Sequence, residues 1–187
     1  ADKPLLEMRD VSVRLGRAAD APALIENIDL KIRPGETVGL VGESGSGKTT
    51  LGMALMRLLP QLLDQGLSGE ILYDGEDIAK LRAADLARIR GGEISMILQD
   101  PMASLNPIFS IGNQLKEGLR LHATARGSLE DRAIAALESV RIPSPKARLA
   151  NHPHQMSGGM RQRVVGAIAL TRAPKLLIAD EPTTSLD

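Results

Sequence analysis

Short apolar runs and stretches with a 3.6-residue apolar repeat alternate along this chain, and the alternation predicts both the elements and their class. Runs of strand character cover Leu5 to Leu15, Leu24 to Ile32, Glu36 to Val41, Gly69 to Tyr73, Ile94 to Leu98 and Lys175 to Ala179. Between them, Leu51, Leu55, Leu58 and Leu59 fall on one face of a helix that starts after Gly47 and is expected to end at Pro60. From about Ser110 to Asn151 the spacing is helical. It includes a cap at Ser128-Leu129-Glu130-Asp131 and an apolar stripe of Ile134, Leu137 and Val140, with Pro143 and Pro145 as the expected stop. A last helix follows Ser157, with Val164, Val165, Ile168 and Ala169 repeating at helical spacing. Strands alternating with helices argue for an α/β fold with a largely parallel core, the earliest strands forming an antiparallel β edge. The longest apolar runs are a few residues, far short of the roughly 20 needed to span a bilayer.

Chemistry enters with Gly42-Glu43-Ser44-Gly45-Ser46-Gly47-Lys48-Thr49-Thr50, a complete P-loop placed directly after the apolar run Thr37 to Val41. Gly42, Gly45 and Gly47 let the backbone turn tightly, so that successive N–H groups and a helix N-terminus can converge on phosphate oxygens. Lys48 adds a point charge for the β- and γ-phosphates, and Thr49 a hydroxyl for a phosphate-bound Mg²⁺. The expected ligand is a nucleoside triphosphate. A second element, Lys175 to Asp187, carries a short apolar run that ends in Asp180 and Glu181, with Pro182 stopping the strand. That run reads as a buried parallel strand, with Asp180 facing the Mg²⁺ shell and Glu181 placed to polarise an attacking water. The third element is Ser157-Gly158-Gly159-Met160. Ser157 is a good N-cap and the two glycines permit close backbone approach, so this is a second helix start suited to phosphate.

Taken together these motifs resemble the ABC-type ATPases. Ser157-Gly158-Gly159-Met160 with Gln162 resembles their signature, Gln99 after Ile94 to Leu98 their Q-loop, and Ser185-Leu186-Asp187 their D-loop, all in the family's order. Gln99-Asp100-Pro101-Met102-Ala103-Ser104-Leu105-Asn106-Pro107, followed by Ile111-Gly112, resembles the ATPase subunits of bacterial peptide and nickel importers. The resemblance implies one truncated ABC domain over residues 1–187, with a core of 1–100 and 157–187 and a helical subdomain of about 101–156. It implies ATP and Mg²⁺ as cofactors and a second ABC ATPase subunit as partner, one nucleotide lying between the P-loop of one copy and Ser157, Gly158, Gly159 and Met160 of the other. Lys48, Gln99 and Glu181 would be catalytic; Thr49, Gln99 and Asp180 would hold the metal. Integral membrane permease subunits, and indirectly a solute-binding protein, complete the expected assembly at the cytoplasmic face of the inner membrane. The implied function is ATP hydrolysis that powers import of peptides or similar solutes, with nickel import, or a soluble ABC ATPase acting on ribosomes or DNA, as alternatives.

Composition narrows this picture without creating it. Lys plus Arg and Asp plus Glu are both 23 in 187 residues, a formal net charge of zero, so no basic excess points to nucleic acid. Cysteine is absent, which removes disulfides and thiolate metal sites. The start ADKPLLEMRD lacks a signal-peptide apolar region. Three departures from the family pattern stand out. Leu15 takes the place of the usual adenine-stacking aromatic, and the single Tyr73 and Phe109 are not placed to substitute for it. His152 stands where importers commonly have Tyr; with His154 it reads as surface histidine, as does His122. The chain reaches Asp187 without the family's switch histidine.

Overall fold

A computed structural model describes residues 3–18, 20–120 and 127–182, the side chain of residue 101 aside. The chain packs as two compact units, residues 1–90 and 91–187. His122 and the D-loop residues Ser185, Leu186 and Asp187 lie outside the described residues.

The first unit is built on β1 (Leu6–Arg14) and β2 (Ala23–Ile32), followed by helices α1 (Lys48–Leu55) and α2 (Gln61–Asp64). Then come β3 (Leu67–Tyr73), β4 (Glu76–Asp77), a 3₁₀ turn at Ile78–Lys80 and α3 (Ala83–Ile89). The four strands form one antiparallel sheet in the order β2-β1-β3-β4. β1, the strand flanked on both sides by long neighbours, buries Leu6, Met8, Val11 and Val13. The register slips around Asp10 against both neighbours, and Asp10 itself has a φ of 49°, so β1 carries a bulge that changes which residues face inward. Gly69 of β3 sits against that bulge with φ +90°. A Cβ there would lie 2.4 Å from the Asp10 carbonyl oxygen, so only glycine fits. Glu7 is buried among these strands and accepts from Arg9 at 3.0 Å and Lys31 at 2.9 Å, contacts that hold its carboxyl below the usual carboxylate range.

Two expectations for this unit need correction. Residues 37–41 form no strand, and Val38, Leu40 and Val41 are 42%, 56% and 95% exposed. An apolar run becomes a parallel strand only where a neighbour supplies ladder hydrogen bonds, and among the described residues no strand pairs with this segment. Helix α1 ends at Leu55, well before Pro60. Arg57 takes a positive φ of 48° and turns the chain out, while Pro60 caps the start of α2. Leu51, Leu55 and Leu59 are nevertheless buried as the periodicity implied, and only Leu58 is turned outward.

The second unit begins with β5 (Ile94–Ile97) and continues through α4 (Pro101–Ser104), α5 (Ile111–Arg120), α6 (Leu129–Ser139) and α7 (Pro145–Arg148). A 3₁₀ turn at Pro153–Gln155, α8 (Gly158–Leu170) and β6 (Leu176–Ala179) follow. β5 and β6 pair in parallel, Ile94 opposite Leu176 through Ile97 opposite Ala179. Ile111 and Leu115 of α5, Leu137 of α6 and Val164 of α8 are fully buried in a core shared with Ile97 of β5. The cap on α6 is as expected, the Asp131 amide donating to Ser128 Oγ at 3.0 Å. Pro143 and Pro145 do not stop α6, which ends at Ser139 before Arg141 turns to a φ of 56°; Pro145 instead opens α7 at its first helical position. β6 is only half buried, with Leu176 inside and Leu177 40% exposed, because β5 is its single described neighbour. Among the described residues no helix is long and apolar enough to cross a membrane.

Candidate functional site

Three places in the fold carry the residues singled out by sequence. The first is the loop from Gly42 to Gly47. Gly45 and Gly47 adopt φ of +81° and +90°, and the Ser46 amide donates to the Glu43 carbonyl at 3.2 Å, which closes the loop on itself. Lys48 folds back over it, its Nζ donating to the carbonyls of Gly42 at 2.8 Å and Glu43 at 2.7 Å. The ammonium is therefore held at the loop by backbone oxygens rather than by a carboxylate, which leaves its charge uncompensated by an acid at those contacts. Gly47 is the N-cap of α1, with no side chain capping the helix and no acidic residue in its first turn. The helix thus presents a positive dipole end and amide donors at the loop. Gly47 cannot carry a side chain, because a Cβ would come within 2.5 Å of Ile25 Cγ2 and 3.1 Å of the Leu24 carbonyl oxygen of β2. Thr49 and Thr50 occupy the first turn, Thr49 exposed and Thr50 half-buried.

The second place is the carboxyl end of β5 and β6, the end of a parallel pair where open α/β sheets bind ligands. The Asp180 amide donates to the Ile97 carbonyl at 2.9 Å, extending the ladder one step beyond β6. One residue further, Gln99 Nε2 donates to Glu181 Oε2 at 2.6 Å. Two residues 82 positions apart, picked out separately from sequence, are thus brought into direct contact, and both are exposed. Glu181 has a φ of 44° and precedes Pro182, an uncommon backbone for a non-glycine residue and one associated with functional sites.

The third place is the start of α8. Ser157 caps the helix, accepting from the Met160 amide at 3.3 Å. A Cβ built on Gly158 would meet nothing within 4 Å among the described residues, so none of them uses the room it leaves. Met160 packs partly against the core of the second unit. Sequence reasoning missed the arginines here. Arg161 donates to the Met156 carbonyl at 3.1 Å, and Arg163 donates to Arg141 O at 2.8 Å and Gly159 O at 3.3 Å, bracing both ends of the motif. Their alternation around Gln162 was visible, but nothing local tells a bracing arginine from a solvated one. Outside these places, Leu15 lies just past β1 and is 50% exposed, while the His152 and His154 rings stack 5.7 Å apart before the signature helix.

The profile of the ABC transporter family matches residues 25–184, from β2 past the Asp180–Glu181 pair. The chain belongs to that family. Among relatives of this ABC protein, a peptide import ATP-binding protein of Brucella abortus (strain 2308) is 47% identical over 185 residues, 98% of this chain and 55% of that protein. The oligopeptide transport ATP-binding protein OppD of Bacillus subtilis (strain 168) is 45% identical over 184 residues, 98% of this chain and 51% of that protein. The chain spans about half the length of these curated relatives. Among solved structures, an ATP-binding cassette dimer in a post-hydrolysis state bound to ADP and Pi superposes with a TM-score of 0.82 at 26% identity, covering 97% of this chain and 76% of that one. The fold is that of an ABC nucleotide-binding cassette.

Proposed function

We propose that this chain is part of an ATP-hydrolysing subunit that powers import of peptides or similar small solutes across a bacterial inner membrane. The observation that carries the nucleotide reading is the Gly42–Thr49 loop, whose closed backbone, inward Lys48 and glycine N-cap at the start of α1 suit a polyphosphate. Its donors are backbone amides and one cation, with the glycine cradle tight enough at Gly47 to exclude a side chain, so the chemistry fits a nucleotide triphosphate. Peptide as the solute class is supported by the names of the relatives at 45–47% identity.

In this reading the loop amides from Ser44 to Thr49, with Lys48, hold the phosphates, and Leu15 offers the base apolar contact only. Thr49, Gln99 and Asp180 are hard oxygen donors suited to Mg²⁺, which when bound would neutralise developing phosphate charge. Glu181 would orient and deprotonate the attacking water, and Gln99, which donates to it at 2.6 Å, would hold its carboxylate in place until then. Ser157, Gly158, Gly159 and Met160 would serve the nucleotide of a second ABC subunit, a reading supported by the empty space around Gly158 and by the dimeric cassette neighbour. The helical segment of about 101–156, set within a core of 1–100 and 157–187, would receive the permease subunits. Met102, Ile108 and Phe109 are 40%, 77% and 50% exposed there, as an apolar contact with a membrane subunit requires.

The test uses the full-length protein. Glu181→Gln should retain ATP binding and accumulate a closed, nucleotide-bound dimer in size-exclusion chromatography while turnover falls by at least about 100-fold. Unimpaired hydrolysis in that variant would remove Glu181 from its role. Copurification with two polytopic membrane proteins is the expected result for the transport assignment, and ribosomes or nucleic-acid enzymes in their place would overturn it.

A further inference from the structure

The end of α1 opposite the phosphate loop is clamped by two arginines that no motif explains. The helix closes in a paired turn, the Arg57 amide donating to Ala54 O at 3.0 Å and the Leu58 amide to Met53 O at 2.9 Å. This is a Schellman ending with an arginine, at φ 48°, where glycine is usual. The turn leaves the carbonyls of Met56 and Arg57 to be satisfied from outside the helix. Arg90 takes both, its Nε donating to Met56 O at 2.7 Å and its Nη2 donating to Arg57 O. Arg57 in turn sends its guanidinium to Ala79 O at 2.6 Å and Asp64 Oδ2 at 3.1 Å. Burial, and then the like charge of Arg57, push the Arg90 guanidinium below its ordinary pKa, though an arginine remains charged. A partly desolvated cation held beside another cation needs compensation. Asp64, the negative end of the α1 dipole and two carbonyl acceptors supply it.

We propose that Arg90 is a positioning residue for nucleotide binding, anchoring the C-terminal end of α1 and so fixing the direction in which its first turn presents Lys48 and the 42–47 loop. This rests on the nucleotide reading above. An eight-residue helix is a rod about 12 Å long. Its N-terminal end rests on β2 at Gly47, where Ile25 and Leu24 leave no room for a side chain, and its other end, buried at Leu55 and Met56 and tied by Arg57 to Ala79, loses the two tethers that set its tilt once Arg90 lets go. A guanidinium suits the task because its planar fork reaches two carbonyls at once, which an ammonium does less rigidly.

The experiment compares wild type, Arg90→Met and Arg90→Lys in the full-length protein. It measures the Kd for MgATP by displacement of a fluorescent nucleotide, KM and kcat for hydrolysis, and the melting temperature without nucleotide. Arg90→Met should raise Kd and KM together by about ten-fold with kcat within two-fold of wild type, since only the pose of the binding loop changes. Arg90→Lys should give an intermediate rise of about three-fold. Wild-type Kd and KM in Arg90→Met, whatever its melting temperature, would reduce the clamp to a structural brace and overturn the proposal, as would a fall in kcat at unchanged KM. Should Arg90→Met fail to fold, Arg90→Lys decides alone, and a wild-type Kd in it overturns the proposal. If wild type itself binds no MgATP, the nucleotide reading falls and the proposal with it, an outcome the variants cannot mimic.

Discussion

The two helix starts that sequence marks as suited to phosphate are built differently. At α1 the N-cap is Gly47 in a left-handed conformation, a residue with no side chain to cap the helix, and the loop before it is closed by Lys48 and by the Ser46 amide. At α8 the N-cap is Ser157 in an extended conformation, its own hydroxyl occupying the Met160 amide. The first start packs close to its own sheet, since a Cβ on Gly47 would collide with Ile25 and Leu24 of β2. The second faces open space at Gly158. A helix whose cap residue has no side chain and whose approach is sterically defined is suited to a ligand held by the same chain. One whose first turn is already self-capped, and whose glycine borders none of the described residues, is suited to a group brought by another molecule. The same dipole physics serves both, and the cap separates them.

The largest effect is expected where the first start is broken. Gly47→Ala forces a Cβ to within 2.5 Å of Ile25 Cγ2 at a φ of +90°, so the loop must leave β2 or the residue must leave the left-handed region. Either change should abolish nucleotide binding, with at least about a 100-fold rise in Kd, and lower stability by roughly 1–3 kcal/mol through strain at the left-handed position. Gly45→Ala sharpens the reading. Its φ is +81° but nothing lies within 4 Å, so it should carry the strain without the clash and lose clearly less affinity. Equal losses in the two variants, by nucleotide titration and thermal melting, would show that contact with β2 contributes nothing.

A smaller effect on the fold, but a sharp one on activity, is expected at the second start. Gly158→Ala places a methyl in empty space, and Ala is the better helix former, so the melting temperature should hold or rise slightly. Steady-state hydrolysis by the assembled protein should nevertheless fall by about 100-fold if a second subunit's nucleotide approaches this glycine. Full activity at unchanged stability would mean that nothing comes to this surface during turnover.

Much of this contrast is legible in the sequence alone. Glycine spacing, the lysine after it and the acid pair after Leu176 to Ala179 are local patterns whose chemistry is written in consecutive residues, and the Ser128 and Ser157 caps likewise. What was not legible depends on partners far along the chain. The run Thr37 to Val41 reads as a strand by composition, yet no described neighbour pairs with it. The Asp10 bulge, paired with Gly69 nearly sixty residues later, cannot be inferred from either segment alone. The 2.6 Å contact between Gln99 and Glu181 needed the parallel register of β5 and β6, and Arg57 at a helix terminus where glycine is expected gave no signal that α1 stops there.

The smallest effect separates capping from catalysis at the second start itself. Ser157 accepts from the Met160 amide at 3.3 Å, whereas the reference cap at α6 is tighter, Ser128 Oγ accepting from the Asp131 amide at 3.0 Å and donating to Asp131 Oδ2 at 2.6 Å. Capping serines typically contribute about 1 kcal/mol. Ser128→Ala should therefore lose about 1 kcal/mol in chemical denaturation and leave hydrolysis alone, while Ser157→Ala, with the longer bond and no second one to a carboxylate, should lose about half of that. If the Ser157 hydroxyl only caps α8, its effect on turnover should track this stability change and be no greater than that of Ser128→Ala. If it also meets a phosphate, turnover should fall by ten-fold or more at a stability cost no larger than the reference, because the hydroxyl that accepts from the Met160 amide is then also the one that donates to a phosphate oxygen of the second subunit's nucleotide.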